Sequence, residues 1–284
     1  MKRIFAIIAI FAAALTAASA QSMPALLIPS DARSVSMAAS TVALEPASRL
    51  DAEVFAGRWA PETADNLMAG LDLWYRVSDK FALLADGTYF RENPYELTSA
   101  DGRVSGSFTP GETLLGLGGN FRAADCLSVE LKAKIFMSTL SPDLKGNAFG
   151  ADLTVRYHGD CFSIAAGACN LGSPIKYGSG GGSYGMPAMA KLGGSYTDHG
   201  FTAAAELDCL FSGAVMAGLG LEYLIKDIVS LRAGYHYGDA GRALPSFASM
   251  GLGARFAGVR LNMSYLLANA NIGGSFLVGL GYSF

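Results

Sequence analysis

Apolar and polar residues alternate along most of this chain. In residues 276–284 every second side chain from Phe276 to Phe284 is apolar, and Leu277, two glycines and a serine lie between them. A period of two with one wholly apolar face predicts an extended strand that buries this face in an apolar environment. The same alternation recurs in 127–137, 151–158, 219–226, 228–238 and 258–267. The pattern therefore predicts an all-β protein.

Alternation and turn residues together divide the chain into about fourteen strands, an even number that is typical of bacterial outer-membrane barrels. Most of them are long enough to cross a bilayer when tilted. We therefore predict a transmembrane antiparallel β-barrel. The predicted strands are 52–59, 67–76, 80–90, 112–123, 125–137, 147–158, 160–170, 186–197, 200–210, 215–226, 228–238, 247–257, 258–267 and 274–284.

The connections between these strands alternate between short and long. The short ones lie near residues 78–79, 124–125, 159–160, 198–199, 227 and 258, and most contain aspartate, which suits tight turns. The longer ones are 91–111, 138–146, 171–185 and 239–246, with smaller members at 60–66, 211–214 and 268–273. Outer-membrane barrels have short periplasmic turns and longer outer loops. Both termini are therefore expected on the periplasmic side.

Charged side chains fall on one face of the alternating segments. A charge on the lipid face near the bilayer midplane costs about 2–4 kcal/mol, so these side chains are expected to point into the lumen. Both signs occur, which favours an ion-pair network that fills the barrel, although the same residues could line a polar channel. The candidate lumen charges are Asp72, Arg76, Arg122, Glu130, Lys132, Lys134, Asp152, Arg156, Lys191, Glu206, Asp208, Glu222, Arg232, Arg255 and Arg260.

Residues 1–20 read as a signal peptide: Lys2 and Arg3 precede an apolar run that ends in small residues, with cleavage expected after Ala20. A membrane anchor is the alternative, but the run is short for one. Charged residues are only 16% of the chain and no later apolar run reaches helix-spanning length, as expected for an outer-membrane barrel of a Gram-negative cell. The net charge of -3 does not indicate nucleic-acid binding.

Residues 21–50 lack alternation but are too apolar for a simple disordered tail. We interpret them as a plug that enters the barrel formed by residues 51–284. A periplasmic linker or an additional short strand are the alternatives. The candidate plug residues are Ile28, Pro29, Asp31, Arg33 and Met37.

No catalytic chemistry is apparent in the sequence. The three histidines, His158, His199 and His236, fall in different places on the predicted strands, and no nucleophile-elbow, zinc-protease or phosphate-loop motif occurs. We expect no enzymatic activity, no cofactor and no metal site. The four cysteines show no metal spacing and lie on no adjacent pair of predicted strands, so free, packed thiols are favoured over disulfides.

Three stretches resemble the PorV/PorQ family of the type IX secretion system, whose members have FadL-like barrels. They are ALLIPSDARSVSM (residues 25–37), CNLGSPIKYG with MPAMAKLGGSY (169–178 and 186–196), and GLGLEYLIKDIVSLRAGYHYG with SMGLGARFAGVRLNMSYLL and the final GYSF (218–238, 249–267 and 281–284). The resemblance implies binding of secreted proteins and handover to attachment machinery. Outer-membrane lipid and other secretion-system components are then the expected partners.

The first functional hypothesis is accordingly a protein-interaction barrel in secretion or surface attachment. Its cargo would contact loops 91–111 and 171–185. A FadL-like transporter of hydrophobic or small molecules is the alternative, although the charged lumen disfavours a wide apolar tunnel, and a purely structural barrel is the third. The candidate cargo contacts are Pro94, Tyr95, Phe108, Tyr177 and Tyr184.

Overall fold

Fourteen antiparallel strands close into a barrel in the computed structural model of this protein. The model describes residues 23–99, 101–178, 182–239, 241–268 and 271–284. The predicted signal peptide and its cleavage site lie outside the described residues. No helix among the described residues is long and apolar enough to span a membrane.

The strands follow one another around the barrel, and the last one pairs with the first to close it. The barrel strands are β1 (Leu50–Trp59), β2 (Asn66–Ser78), β3 (Phe81–Arg91), β6 (Gly111–Ala124), β7 (Leu127–Thr139), β8 (Lys145–His158), β9 (Phe162–Gly172), β12 (Met189–Asp198), β13 (Phe201–Leu210), β14 (Val215–Ile225), β15 (Val229–Tyr237), β16 (Phe247–Phe256), β17 (Val259–Leu267) and β18 (Phe276–Ser283). Two separate hairpins pair β4 (Tyr95–Thr98) with β5 (Val104–Phe108) and β10 (Ile175–Lys176) with β11 (Ser183–Tyr184).

All fourteen predicted barrel strands are confirmed, with bounds that differ by a few residues. The prediction of plain loops at 91–111 and 171–185 was wrong, because each loop contains one of the small hairpins. Their strands are too short for alternation to distinguish them from loop. The loop predicted at 138–146 is also shorter, because β7 and β8 pair out to Thr139 and Lys145.

The outside of the barrel is apolar because the alternating large hydrophobic residues point outward. Leu117, Leu131 and Leu219, for example, each expose more than 60% of their surface. Aromatic residues lie towards the barrel ends, as at membrane interfaces. Those at the short-turn end include Phe81, Phe121, Tyr157, Phe162, Tyr196, Phe201, Tyr223, Phe256 and Tyr282.

Tight turns connect neighbouring strands at one end of the barrel. Lys226 and Asp227 both have positive φ (50° and 57°), as do Ala257 and Gly258 (49° and 82°), which is the geometry of the twisted two-residue hairpin turn. The other end carries the longer connections, including both small hairpins. We call the ends inner and outer, since the shorter turns of such barrels face the periplasm.

The residues before β1 form no additional strand. Residues 23–49, which we call the lumen segment, contain a 3-10 helix (Pro24–Leu27) and a short helix α1 (Ala32–Ser36). Asp31 caps α1 by accepting a hydrogen bond from the Ser34 N–H at 2.8 Å. Helix α1 packs against β15, β16, β17 and β18 on the lumen side.

The cysteines are all free. The prediction that they are packed was wrong for three of them, because Cys126, Cys161 and Cys209 are exposed and only Cys169 is buried. Cys126 and Cys161 lie in inner turns, and Cys209 is on the outer face of β13.

Candidate functional site

The lumen segment runs through the barrel from the outer end to the inner end. Met23 and Leu26 are buried among lumen side chains from the outer ends of strands, including Met68 and Phe90. At the other end, the Arg49 N–H donates to the carbonyl oxygen of Phe284 at 2.8 Å, where the segment enters β1. The barrel is therefore filled along its length by its own N-terminal chain.

Glycines on the inner face of β14, β15 and β16 make room for this segment. A Cβ atom on Gly220 would lie 2.6 Å from the Met37 carbonyl oxygen, and one on Gly234 would lie 2.8 Å from the Ala38 Cβ. A Cβ on Gly251 would overlap Ser36. The backbone of the segment therefore approaches the wall more closely than any larger residue would allow.

A partly buried ion pair holds α1 to the wall. The Arg33 guanidinium donates to both Glu222 oxygens, at 3.1 and 2.8 Å, and Arg232 donates to the same carboxylate. Two arginines therefore share one carboxylate at the point where α1 meets β14 and β15.

Further contacts fix the inner half of the segment. The Val42 N–H donates to Glu206 and the Val42 carbonyl accepts from Arg156, both at 2.8 Å. Ser128 donates to Glu45 at 3.2 Å, and Arg76 donates to the carbonyl oxygens of residues 46 and 47. These polar contacts tie residues 33–47 to many strands at once.

The outer half of the lumen is an apolar chamber, in contrast to the charged wall around residues 33–47. The outer connections close it from above with Ile175, Tyr177, Leu244 and Ile272. Met23, Leu26, Leu27 and Ile28 of the lumen segment occupy it. Its walls include Trp59, Met68, Phe90, Phe136, Met189, Leu210, Met216, Phe247, Leu266 and Leu277.

The inner half contains a polar cavity of about 610 Å³. Helix α1 separates the two halves: Ala32 and Val35 belong to the apolar cluster, whereas Arg33 and Ser34 line the cavity. The helix is amphipathic over a single turn, with the chamber on one side and the cavity on the other. Any molecule that crossed the lumen along its axis would have to displace it.

The structure places the candidate lumen charges on the inner face of the barrel, largely in ion pairs. Lys134 meets Asp152 at 2.6 Å, Arg156 meets Glu130 at 2.8 Å, and Lys191 meets Glu206 and Asp208 at 2.6 and 3.0 Å. Lys132 meets Asp86, Arg232 meets Glu222, and Arg260 meets Asp51. Arg255 lines the inner cavity. The charges that line the inner cavity lie away from the apolar chamber, so the charged part of the lumen and its apolar part are separate.

The candidate plug residues are in the lumen segment, and the candidate cargo contacts divide into two groups. Pro94 and Tyr95 are exposed on the outer hairpin, where Tyr95 and Phe108 form an edge-to-face ring pair. Tyr177 is only 5% exposed, packs against Tyr184 and closes the apolar chamber, so cargo could reach it only if this outer connection moved. A role of these residues in cargo binding stays a prediction.

No model of a known protein family matches this chain, and no curated protein matches it. Solved structures do match its fold. The toluene transporter TbuX of Ralstonia pickettii superposes with a TM-score of 0.58 at 10% sequence identity, covering 95% of this chain and 96% of that one. The toluene transporter TodX of Pseudomonas putida gives 0.56 at 14% identity, covering 94% and 95%.

This chain has the fold of the FadL-like barrels. A FadL homologue of Pseudomonas aeruginosa also superposes, with a TM-score of 0.51 at 13% identity, covering 95% of this chain and 98% of that one. None of these matches supports the PorV/PorQ family in particular, so that resemblance stays a prediction.

Proposed function

We propose that this protein is an outer-membrane channel for small hydrophobic molecules. The observation that carries the proposal is that the apolar outer chamber is filled by residues 23–28, which are held there without hydrogen bonds to the described residues of the wall. The described backbone hydrogen bonds of residues 23–28 stay within the segment, from Leu26 to Met23 and from Ile28 to Ala25. Side-chain packing therefore holds this peptide in the chamber, and an apolar molecule can replace it without breaking a hydrogen bond to the wall.

The fold supports the same class of substrate. TbuX and TodX, which share the fold, are described as toluene transporters. We infer that a molecule of similar size and polarity enters the chamber from outside and displaces residues 23–28. Passage further inward then requires α1 to move, because this helix forms the partition above the polar cavity.

Uptake of N-phenyl-1-naphthylamine, a neutral hydrophobic fluorophore, tests this proposal in intact cells. Cells that carry the barrel are expected to take up the probe faster than cells without it. Met68, which is fully buried in the chamber wall, offers a matched pair of variants. Met68→Lys places a charge in the chamber and is expected to abolish the gain, whereas Met68→Leu is expected to retain it.

Two controls make the result decisive. Uptake of nitrocefin, a polar solute, is expected to stay at the level of cells without the barrel, because the apolar chamber excludes it. Heat-modifiable migration on gels shows whether each variant forms a barrel. The proposal fails if barrel-forming wild-type protein leaves uptake of the hydrophobic probe unchanged.

A second candidate function is the binding of secreted cargo, as the PorV/PorQ resemblance implies. The outer hairpin supports it, because Tyr95 and Val104 expose 38% and 59% of their surfaces. If this hairpin binds cargo, replacing residues 95–108 by a short Gly-Ser linker removes secreted proteins that co-purify with the barrel. Unchanged co-purification, or none from wild type, would exclude the hairpin as the cargo site.

A further inference from the structure

Three carboxylates lie side by side on the inner face of neighbouring strands. Glu53 is directly opposite Asp72 in the β1–β2 ladder, and Asp72 is directly opposite Asp86 in the β2–β3 ladder. Like charges in this arrangement destabilise a sheet. A fourth carboxylate, that of Asp31 in the lumen segment, repels both Glu53 and Asp72. A row of this kind requires a compensating positive charge.

The ion pairs of the row are at its two ends. Lys132 donates to Asp86 at 2.7 Å, whereas Glu53 lies 3.8 Å from Arg260 and accepts a hydrogen bond from the Asn262 amide at 2.7 Å. Asp72, in the middle, has neither an ion pair nor a hydrogen bond to any described residue, and its Oδ2 atom is buried. Arg260 donates to Asp51 and lies 3.8 Å from Glu53, and Arg33 binds Glu222, so neither arginine forms an ion pair with Asp72.

Two glycines spread the row apart around Asp72. The Glu53 side chain extends over Gly279 of β18. The Asp86 carboxylate extends over Gly116 of β6, where a Cβ atom would lie only 2.6 Å from its oxygens. The outer carboxylates therefore lean away from Asp72 in opposite directions. This arrangement lowers the repulsion and leaves the centre of the row open to the inner cavity.

Two further polar atoms of the inner cavity are buried without a partner. Glu53 is 7% exposed and its Oε1 atom accepts no hydrogen bond. Trp74, which follows Asp72 on the same face of β2, is 5% exposed and its indole N–H has no acceptor. Both side chains line the inner cavity. A ligand with N–H donors can satisfy the Glu53 oxygen, whereas the Trp74 N–H requires an acceptor.

We propose that the Glu53–Asp72–Asp86 row binds an organic ammonium ion from the periplasmic side, with Asp72 as its principal acceptor. An ammonium group has three N–H donors, which match the free oxygens of Asp72 and Glu53. An indole ring beside the carboxylates also favours a cation. No group of three or more His, Cys, Asp or Glu side chains in the described part of the chain has the geometry of a metal site. The site does not depend on the proposed transport of hydrophobic molecules.

Binding of putrescine to the purified barrel in non-ionic detergent tests this inference. The chain has only two tryptophans, so in a Trp59→Phe background the fluorescence of Trp74 reports directly on the site. We expect a saturable change in this fluorescence, with a matching isotherm by calorimetry on the unmodified protein. Asp72→Asn is expected to weaken binding about tenfold or more, because it removes a charge-assisted hydrogen bond. Asp101→Asn, in an exposed outer loop, is the matched control and is expected to bind as wild type does.

A thermal melt distinguishes a loss of binding from a folding defect in Asp72→Asn. Asp72→Asn removes the repulsion in the row, so without amine it is expected to melt above wild type. Putrescine is expected to raise the melting temperature of wild type and to leave that of Asp72→Asn unchanged. The inference is overturned if putrescine does not saturate, if Asp72→Asn binds as well as wild type, or if magnesium at equal ionic strength competes equally well.

Discussion

Replacing Arg33 by alanine should loosen the lumen segment without disturbing the barrel. Arg33 is the only side chain of α1 that forms an ion pair with the barrel wall among the described residues, through two charge-assisted hydrogen bonds to Glu222. The Glu222 carboxylate keeps a positively charged partner after the substitution, because Arg232 continues to donate to it. The loss is therefore limited to the contact itself.

The expected size of the effect follows from burial. Hydrogen bonds to charged groups contribute about 1.5–3 kcal/mol. The Arg33 side chain is 39% exposed to the cavity, so solvent screens part of this contribution and about 1–2 kcal/mol remains. That difference corresponds to about a 5- to 30-fold increase in the population of the detached segment.

Hydrogen exchange measured by mass spectrometry reports the population of molecules in which the lumen segment is detached. The amides of Val35, Met37 and Ala39 are bonded within the segment and exchange only when α1 opens. In Arg33→Ala their exchange should accelerate by the same factor, about 5- to 30-fold, while the barrel strands exchange as before. Arg103→Ala, in an exposed outer loop, is the control. Unchanged exchange in α1, or equal acceleration throughout the barrel, would refute the assignment of Arg33 as the anchor.

Three further predictions concern the wall, the orientation and the turns. Gly251→Ala should displace α1 and speed its exchange, because the new Cβ would overlap Ser36, whereas Gly106→Ala should have no effect because nothing lies within 4 Å of it. A membrane-impermeant maleimide should label the inner-turn thiols of Cys126 and Cys161 only after the periplasm is opened, and labelling in intact cells would invert the assigned orientation. The hydrogen bond to Asp198 raises the pKa of His199, so NMR titration should give a value above the ordinary range in wild type but not in Asp198→Asn. Because the folded-state pKa is raised, the stabilisation is present in acid and lost as pH rises through that pKa.

The barrel could be predicted from the sequence because its physical cause is local. Lipid outside and charge inside impose a period of two on every strand, so each strand carries its own signal. The hairpin β10–β11 has only two residues per strand, which is too few for any period to show. The lumen segment has no period either, because its conformation depends on glycines more than 150 residues away in sequence, such as Gly220 and Gly234.

The functional site was harder to predict than the fold for the same reason. Alternation separates the charged face of a strand from its apolar face, but the separation of the apolar chamber from the polar cavity depends on how far along its strand each residue lies. Met68 and Asp72 are only four residues apart on one strand, yet Met68 lines the chamber and Asp72 the cavity. Alternation records which face a residue occupies and carries no information about its position along the strand. Tyr177 was assigned to cargo binding because an aromatic residue in a loop gives no local sign of burial.

The central claim is that a small hydrophobic molecule takes the place of residues 23–28 in the outer chamber. The most direct measurement is a distance between two spin labels in a variant without native cysteines. One label replaces Leu27 in the chamber and the other replaces Asp160 in an exposed inner turn. Addition of toluene is expected to create a second, longer distance population as the segment leaves the chamber. A distance distribution that stays unchanged when the sample is saturated with toluene would contradict the claim.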